Sequence, residues 1–145
     1  MTNKDKYDLL KLDRQLCFPL YAVSKEIVRK YKPFLDEINL TYTQYITMMV
    51  LWEDEEILVK DLGEKLFLDS GTITPVLNGL EKRGYATRRR SETDKRDVYA
   101  VITEEGMNLR DKAVTIPERI GGCVPLDPEK AMTLYQILHE MMDKL

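Results

Sequence analysis

Apolar positions recur at steps of three and four along most of the chain. Leu9, Leu12, Leu16, Leu20, Val23 and Ile27 form one stripe and predict a long first helix. Pro19 interrupts that stripe. Inside a helix it removes a hydrogen bond and crowds the carbonyl of Gln15, so a kink or a helix in two pieces is expected. A short helix is expected after Pro33. Thr41 or Thr43 can cap a helix to about Glu53, with Tyr45, Met48, Met49 and Trp52 on its buried side. Residues 57–59 read as a short strand and 60–66 as a short helix burying Leu62 and Leu66. Asp69 and Ser70 offer the next N-cap, for a helix that buries Ile73, Leu77 and Leu80 and stops at Gly84. Residues 85–90 and 98–102 read as strands around a polar hairpin tip, 91–97. Thr103 opens a helix to about Ile120, broken by Gly121 and Gly122. Asp127 and Pro128 start the last one, with a stripe of Ala131, Leu134, Leu138, Met141 or Met142, and Leu145.

Two helices joined by the turn Phe67-Leu68-Asp69, followed by a hairpin, make a winged helix-turn-helix. The predicted fold class is mainly α with a small β-hairpin. The 145 residues form a single domain, 1–145, with a winged region at 41–102 and flanking helices at 8–38 and 103–145. The apolar stripes of the flanking helices exceed what one small module can cover, and a homodimer interface is their simplest use. No stretch has the apolar length of a membrane span, and the charged segment 1–13 lacks the core of a signal peptide. A cytoplasmic protein with reduced thiols is therefore expected, and no membrane partner. Two cysteines and one histidine are poor material for a disulfide scaffold or a structural metal site, so no metal or cofactor is predicted. The seven methionines read as core, and His139 as surface or interface.

Charge changes the picture. The net charge of -3 argues at first against a nucleic-acid partner. Yet 82–96 carries seven basic residues against two acidic ones, a local +5 diluted by an acidic body. Such a patch can attract phosphates whatever the total, because salt limits electrostatic reach to about 8 Å. A merely solvated basic hairpin would show the same count. Order of elements and charge together favour double-stranded DNA, read as a pseudo-palindrome by a dimer. A recognition helix needs short polar or flat side chains outside, and Ser70, Thr72, Thr74, Pro75 and Asn78 supply them. Asn can pair with adenine. Arg90, Lys95 and Arg96 on the wing can reach backbone or minor groove.

The run Leu68-Asp69-Ser70-Gly71-Thr72-Ile73-Thr74-Pro75-Val76-Leu77 resembles the recognition region of MarR-type transcriptional regulators. So does the wing Arg90-Ser91-Glu92-Thr93-Asp94-Lys95-Arg96, leading into Val101-Ile102-Thr103-Glu104-Glu105-Gly106, with the spaced Asp94 and Arg96 as its signature. The segments Gln15-Leu16-Cys17-Phe18-Pro19-Leu20-Tyr21, Tyr31-Lys32-Pro33 and Leu40-Thr41-Tyr42-Thr43-Gln44-Tyr45 resemble the branch that senses organic hydroperoxides, the OhrR-like repressors. The resemblance covers roughly residues 7 to 120. It implies a homodimeric repressor, not an enzyme, that leaves its operator when Cys17 is oxidised. It implies that Tyr21 and Tyr31 donate hydrogen bonds to the reactive sulfur, one of them across the dimer. Asn78-Gly79 departs from the basic pair that relatives often carry, which implies weaker phosphate affinity and a different operator. Ala100 is small for its strand, and Pro19 alters the turn after Cys17.

Peroxides oxidise thiolate far better than thiol, so a sensor cysteine needs activation and access. Tyr21 lies one turn after Cys17, on the same face. Leu16, Phe18 and Leu20 favour a greasy oxidant such as an alkyl hydroperoxide, and the first product would be a sulfenic acid. Cys17 could equally be a buried small hydrophobe. Cys123, in a flexible break, could resolve the sulfenic acid as a disulfide or be passive. Two other readings stay open: a MarR-like repressor released by a small aromatic anion, and a thiol peroxidase.

Overall fold

Capping side chains open four helices where the sequence places them. The computed structural model describes residues 3–145, and every statement below concerns those residues. Thr41 forms a capping box with Gln44 at the start of α3 (Tyr42–Asp54). The Asp69 carboxylate accepts the Thr72 amide at 2.8 Å to open α5 (Ser70–Lys82). Thr103 and Asp127 do the same for α6 (Glu104–Ala113) and α8 (Pro128–Met142). Each such cap contributes about 1 kcal/mol. The other helices are α1 (Asn3–Tyr7), α2 (Cys17–Asp36), α4 (Val59–Leu66) and α7 (Ile116–Gly121).

Three antiparallel strands complete the wing: β1 (Glu56–Leu58), β2 (Ala86–Arg90) and β3 (Val98–Ile102). Their order is β1-β3-β2, with β3 central. Ala100 faces Ile57 on one side and Arg88 on the other and is fully buried, so its small side chain sits at a tight core contact. The hairpin follows α5 directly because Gly84 takes a left-handed φ of 77°, which L side chains rarely adopt. The core sits where α3, α4 and α5 meet the sheet. Met48, Leu51, Leu62, Leu77 and Leu80 are wholly buried there, each worth about 1.5–3 kcal/mol against exposure. Trp52 anchors α3 to α6 by donating its indole N–H to the Gly106 carbonyl at 2.8 Å.

The helix-turn-helix and wing stand as the pattern predicts, within a residue or two at each end. The flanks differ. The first stripe is not one helix: 3–14 form a short helix and two 3-10 turns, and α2 begins only at Cys17. Pro19 falls in the first turn of α2, where an N–H has no helical partner anyway, so it starts the helix rather than kinking it. Leu9, Leu12 and Leu16 are exposed, Leu16 at 78%. Pro33 opens no new helix but lies inside α2, which runs on to Asp36. Met49 is 44% exposed, on the outer side of α3. The helix expected over 103–120 is two, α6 and α7, separated at Val114 and Thr115. Of the methionines, Met48 is core, whereas Met49, Met132, Met141 and Met142 are exposed; Met1 and Thr2 lie outside the described residues. The α8 stripe is real in spacing but no residue of α8 is buried.

Candidate DNA interface and redox site

Helix α5 buries Ile73, Val76, Leu77 and Leu80. That choice turns Ser70, Thr72, Thr74, Pro75 and Asn78 to solvent, all five exposed. They are short or flat, so a groove wall could approach the backbone closely. Gly79 lies under them, against the Gln44 side chain of α3; a Cβ at this position would collide with the Gln44 amide.

The +5 segment is not a cloud of free cations. Arg88 forks onto Glu81 at 2.9 Å through both Nε and Nη2. The pair holds Glu81 below the usual carboxylate range and pushes Arg88 up. The Arg88 Nη2 also donates to the Asn78 Oδ1 at 2.5 Å. Arg89 pairs with Glu56 and lies over the Tyr99 ring. Arg90 donates to the Lys95 carbonyl at 2.8 Å, inside the wing. At the tip, Ser91 accepts the amides of Thr93 and Asp94, and Asp94 accepts Arg96 through backbone and guanidinium. Arg96 holds Asp94 below its ordinary value and stays 91% exposed. The wing is therefore preformed, with Lys95 and Arg96 at its outer edge and the exposed Arg90 bracing the tip through the Lys95 carbonyl.

An open groove of about 840 Å³ runs between α4, the start of α5 and the base of the wing. Leu58, Val59, Leu68 and Ile73 make it apolar, and its charges are Lys60 and Arg96 against Glu64 and Asp97.

Cys17 is exposed, in the first turn of α2. Its sulfur stands at the positive end of a helix dipole. Successive residues turn by about 100°, so Tyr21 and Tyr31 lie about 40° to either side of Cys17 on one face of α2. Tyr21, 62% exposed, sits one turn on. Tyr31 is fourteen residues on, about 21 Å along the axis, and cannot touch the Cys17 of its own chain. It packs instead on Tyr42 and Tyr45 of α3, with ring centroids 5.0 and 5.9 Å away. Burial raises all three phenols, Tyr45 to about 12, so each stays a neutral donor through the physiological range. The sequence places Tyr45 on the buried side of α3 but assigns neither it nor Tyr42 to the surroundings of Tyr31, which the packing of α2 on α3 brings together. Cys123 is also exposed and sits beyond the far end of α2. Its thiol faces the Arg119 carbonyl at 3.6 Å, and Arg119 grips Glu37 and covers Phe34. The twenty residues of α2, about 30 Å of helix, separate that junction from Cys17. Among the described residues no acidic, histidine or cysteine cluster could hold a metal, and no helix is long and apolar enough to cross a membrane.

Comparison with known proteins agrees with this architecture. Residues 29–113 match the family profile described as transcriptional regulator SarA/Rot. The organic hydroperoxide resistance transcriptional regulator of Bacillus subtilis is 46% identical, over 98% of this chain and 97% of its own. Among solved structures, reduced AbfR of Staphylococcus epidermidis bound to DNA is 29% identical. It superposes with a TM-score of 0.77 over 97% of this chain and 98% of its own. The disulfide form of AbfR superposes less well, at 0.60 over 99% and 95%.

Proposed function

Because the chain belongs to the winged-helix transcriptional regulators of the SarA/Rot and MarR type, we propose that it is a homodimeric repressor released from its operator when Cys17 is oxidised by an organic hydroperoxide. The observation that carries the redox part is the exposure of Cys17 at the head of α2, on a tyrosine-bearing face and among exposed apolar side chains. The thiolate attacks one oxygen of the peroxide bond and expels an alkoxide, which takes up a proton as the alcohol. Cys17 becomes a sulfenic acid. Leu16 and Phe18, both exposed, would receive an alkyl group. Tyr21 and a Tyr31 from the second subunit donate to the sulfur, and Tyr42 backs Tyr31. If Cys123 resolves the sulfenic acid, its thiol displaces water and forms a disulfide between subunits, since its own chain holds it at the opposite end of α2.

Dimerisation rests on the flanks. Leu9, Leu12, Leu16 and Val23 on one side, and Met132, Tyr135, Leu138 and Met141 on the other, are exposed to a degree that a monomer in water does not favour. The DNA-reading face is Ser70, Thr72, Thr74, Pro75 and Asn78, with Arg90, Lys95 and Arg96 on the wing. Two such faces must stand about 34 Å apart to enter successive major grooves. The closer match to DNA-bound reduced AbfR than to its disulfide form supports reading the present arrangement as DNA-competent. Oxidation then acts through α2, which leads by 37–41 into α3.

Fluorescence anisotropy with a promoter fragment, with and without cumene hydroperoxide, tests the reading. Peroxide should weaken binding by about tenfold or more in the wild type and leave Cys17→Ser bound. If Cys17→Ser is released as readily, the cysteine is not the sensor. An aromatic carboxylate in the apolar groove beside Lys60 and Arg96 then becomes the effector to titrate.

A further inference from the structure

The side chain of Asn78 is not free to choose its orientation. An arginine has five N–H donors and no acceptor, so the atom of Asn78 that faces Arg88 must be the carbonyl oxygen. The Arg88 guanidinium is itself fixed by its two-bond fork on Glu81, one turn further along α5. Both partners of the fork are about one-third exposed, so water competes with it only in part. The Asn78 NH2 group therefore points away from the wing, on the same face of α5 as Thr74 and Pro75. An unrestrained asparagine offers a base both an acceptor and a donor. That pair matches adenine, which presents N7 as acceptor and its N6 amino group as donor. With the oxygen held by Arg88, Asn78 offers mainly its two N–H bonds. Guanine, with N7 and O6 both accepting, is the base edge that takes them.

We propose that Arg88 is a positioning residue that sets the polarity of Asn78, so that this recognition helix reads guanine where a free asparagine would read adenine. The inference rests on α5 being the DNA-reading helix. It assigns Arg88, within the basic wing, to specificity rather than to phosphate binding. It also gives the Asn78 departure a consequence beyond lost charge.

Selection from a randomised duplex library, followed by sequencing, tests it with the full-length reduced protein. The wild type should enrich a two-fold symmetric motif with guanine at one column of each half-site. Asn78→Ala, on an exposed helix position, should flatten that column and leave the others unchanged. Asn78→Asp keeps the bond to Arg88 but presents no donor, and should move the column to cytosine, whose amino group donates. Arg88→Met keeps the aliphatic stem but frees the asparagine, and should move the column to adenine. Arg88→Lys can still pair with Glu81 and should fall between. Single-column shifts of about tenfold are what one bidentate contact allows. A motif unchanged in Asn78→Ala overturns the inference and leaves the repressor reading standing. A column that stays guanine in Arg88→Met, with Asn78→Ala flat, overturns the role of Arg88. Failure of the wild type to enrich any sequence at low salt overturns both this inference and the DNA-reading assignment of α5.

Discussion

The winged module and the flanking helices use the same apolar vocabulary to opposite ends. In the module, α3, α4, α5 and β3 bury Met48, Leu51, Leu62, Leu77, Leu80 and Ala100 fully, and the charged side chains of the wing are mostly tied to partners. In α8 a stripe of equal regularity buries nothing, and the leucines ahead of α2 stand in solvent. Periodicity reports that a face will be covered; it does not report by what. The module closes its core within one chain, whereas most apolar side chains of α8 and of the segment before α2 stay exposed in it.

The sharpest way to break the contrast is to put the same change in both regions. Leu77→Ala, in the module core, should cost about 2–5 kcal/mol in urea unfolding, through lost contacts and a cavity. Leu138→Ala should cost a monomeric chain within about 0.5 kcal/mol, because it removes little burial. Leu138→Glu should leave the module folded by near-ultraviolet circular dichroism yet shift sedimentation from dimer to monomer. DNA affinity should fall with it, by about a hundredfold, as one half-site is lost. Equal destabilisation by the two alanines, with no concentration dependence in the second, would mean that α8 is covered within its own chain.

A smaller effect separates the regions by pH. Arg88 holds Glu81 below its unfolded value, so this pair's stabilisation is fully present above about pH 4.3 and is lost as pH falls through the lower folded value. Glu81→Gln should remove that acid step from the wing's unfolding profile. The Tyr31, Tyr42 and Tyr45 group behaves in the opposite sense. Its phenols are raised, so their stabilisation is complete below about pH 10 and is lost as pH rises toward the folded values, about 12 for Tyr45. Tyr45→Phe should blunt the alkaline transition at the α2–α3 junction and leave the acid one alone. Asp69→Ala should cost about 1 kcal/mol, by removing the cap of α5.

Most of the module was legible because local signals agree there: caps, a 3.6-residue stripe, a left-handed glycine and a polar tip. The first helix was misread because Leu9, Leu12 and Leu16 keep helical spacing while standing outside the helix, and nothing in spacing distinguishes 3-10 turns from α-helix. Met49 was misplaced because it sits beside the buried Met48 and the stripe is only about a third of the circumference. At the proposed site, the exposure of the short outer residues of α5 was legible, whereas that of Cys17 was not, since the sequence allowed a buried cysteine. The links that arrange them were not. Arg88 meets Asn78 across ten residues and a turn, and Tyr31 meets Tyr42 across a bend between helices. Such pairs depend on how elements are set side by side, which a linear pattern does not carry.

Helix α2 runs unbroken from Cys17 past Tyr31, and this turns distance into arithmetic. One residue inserted between them would swing the cysteine by about 100° and lift it by about 1.5 Å relative to the tyrosine. The side chains along 22–30 can drift toward any good helix former without moving either group. On the proposed sensor geometry, their number should not change. Insertions belong in the hairpin tip at 91–97, where a longer loop alters reach but not phase, and α2 serves the molecule as its unit of length.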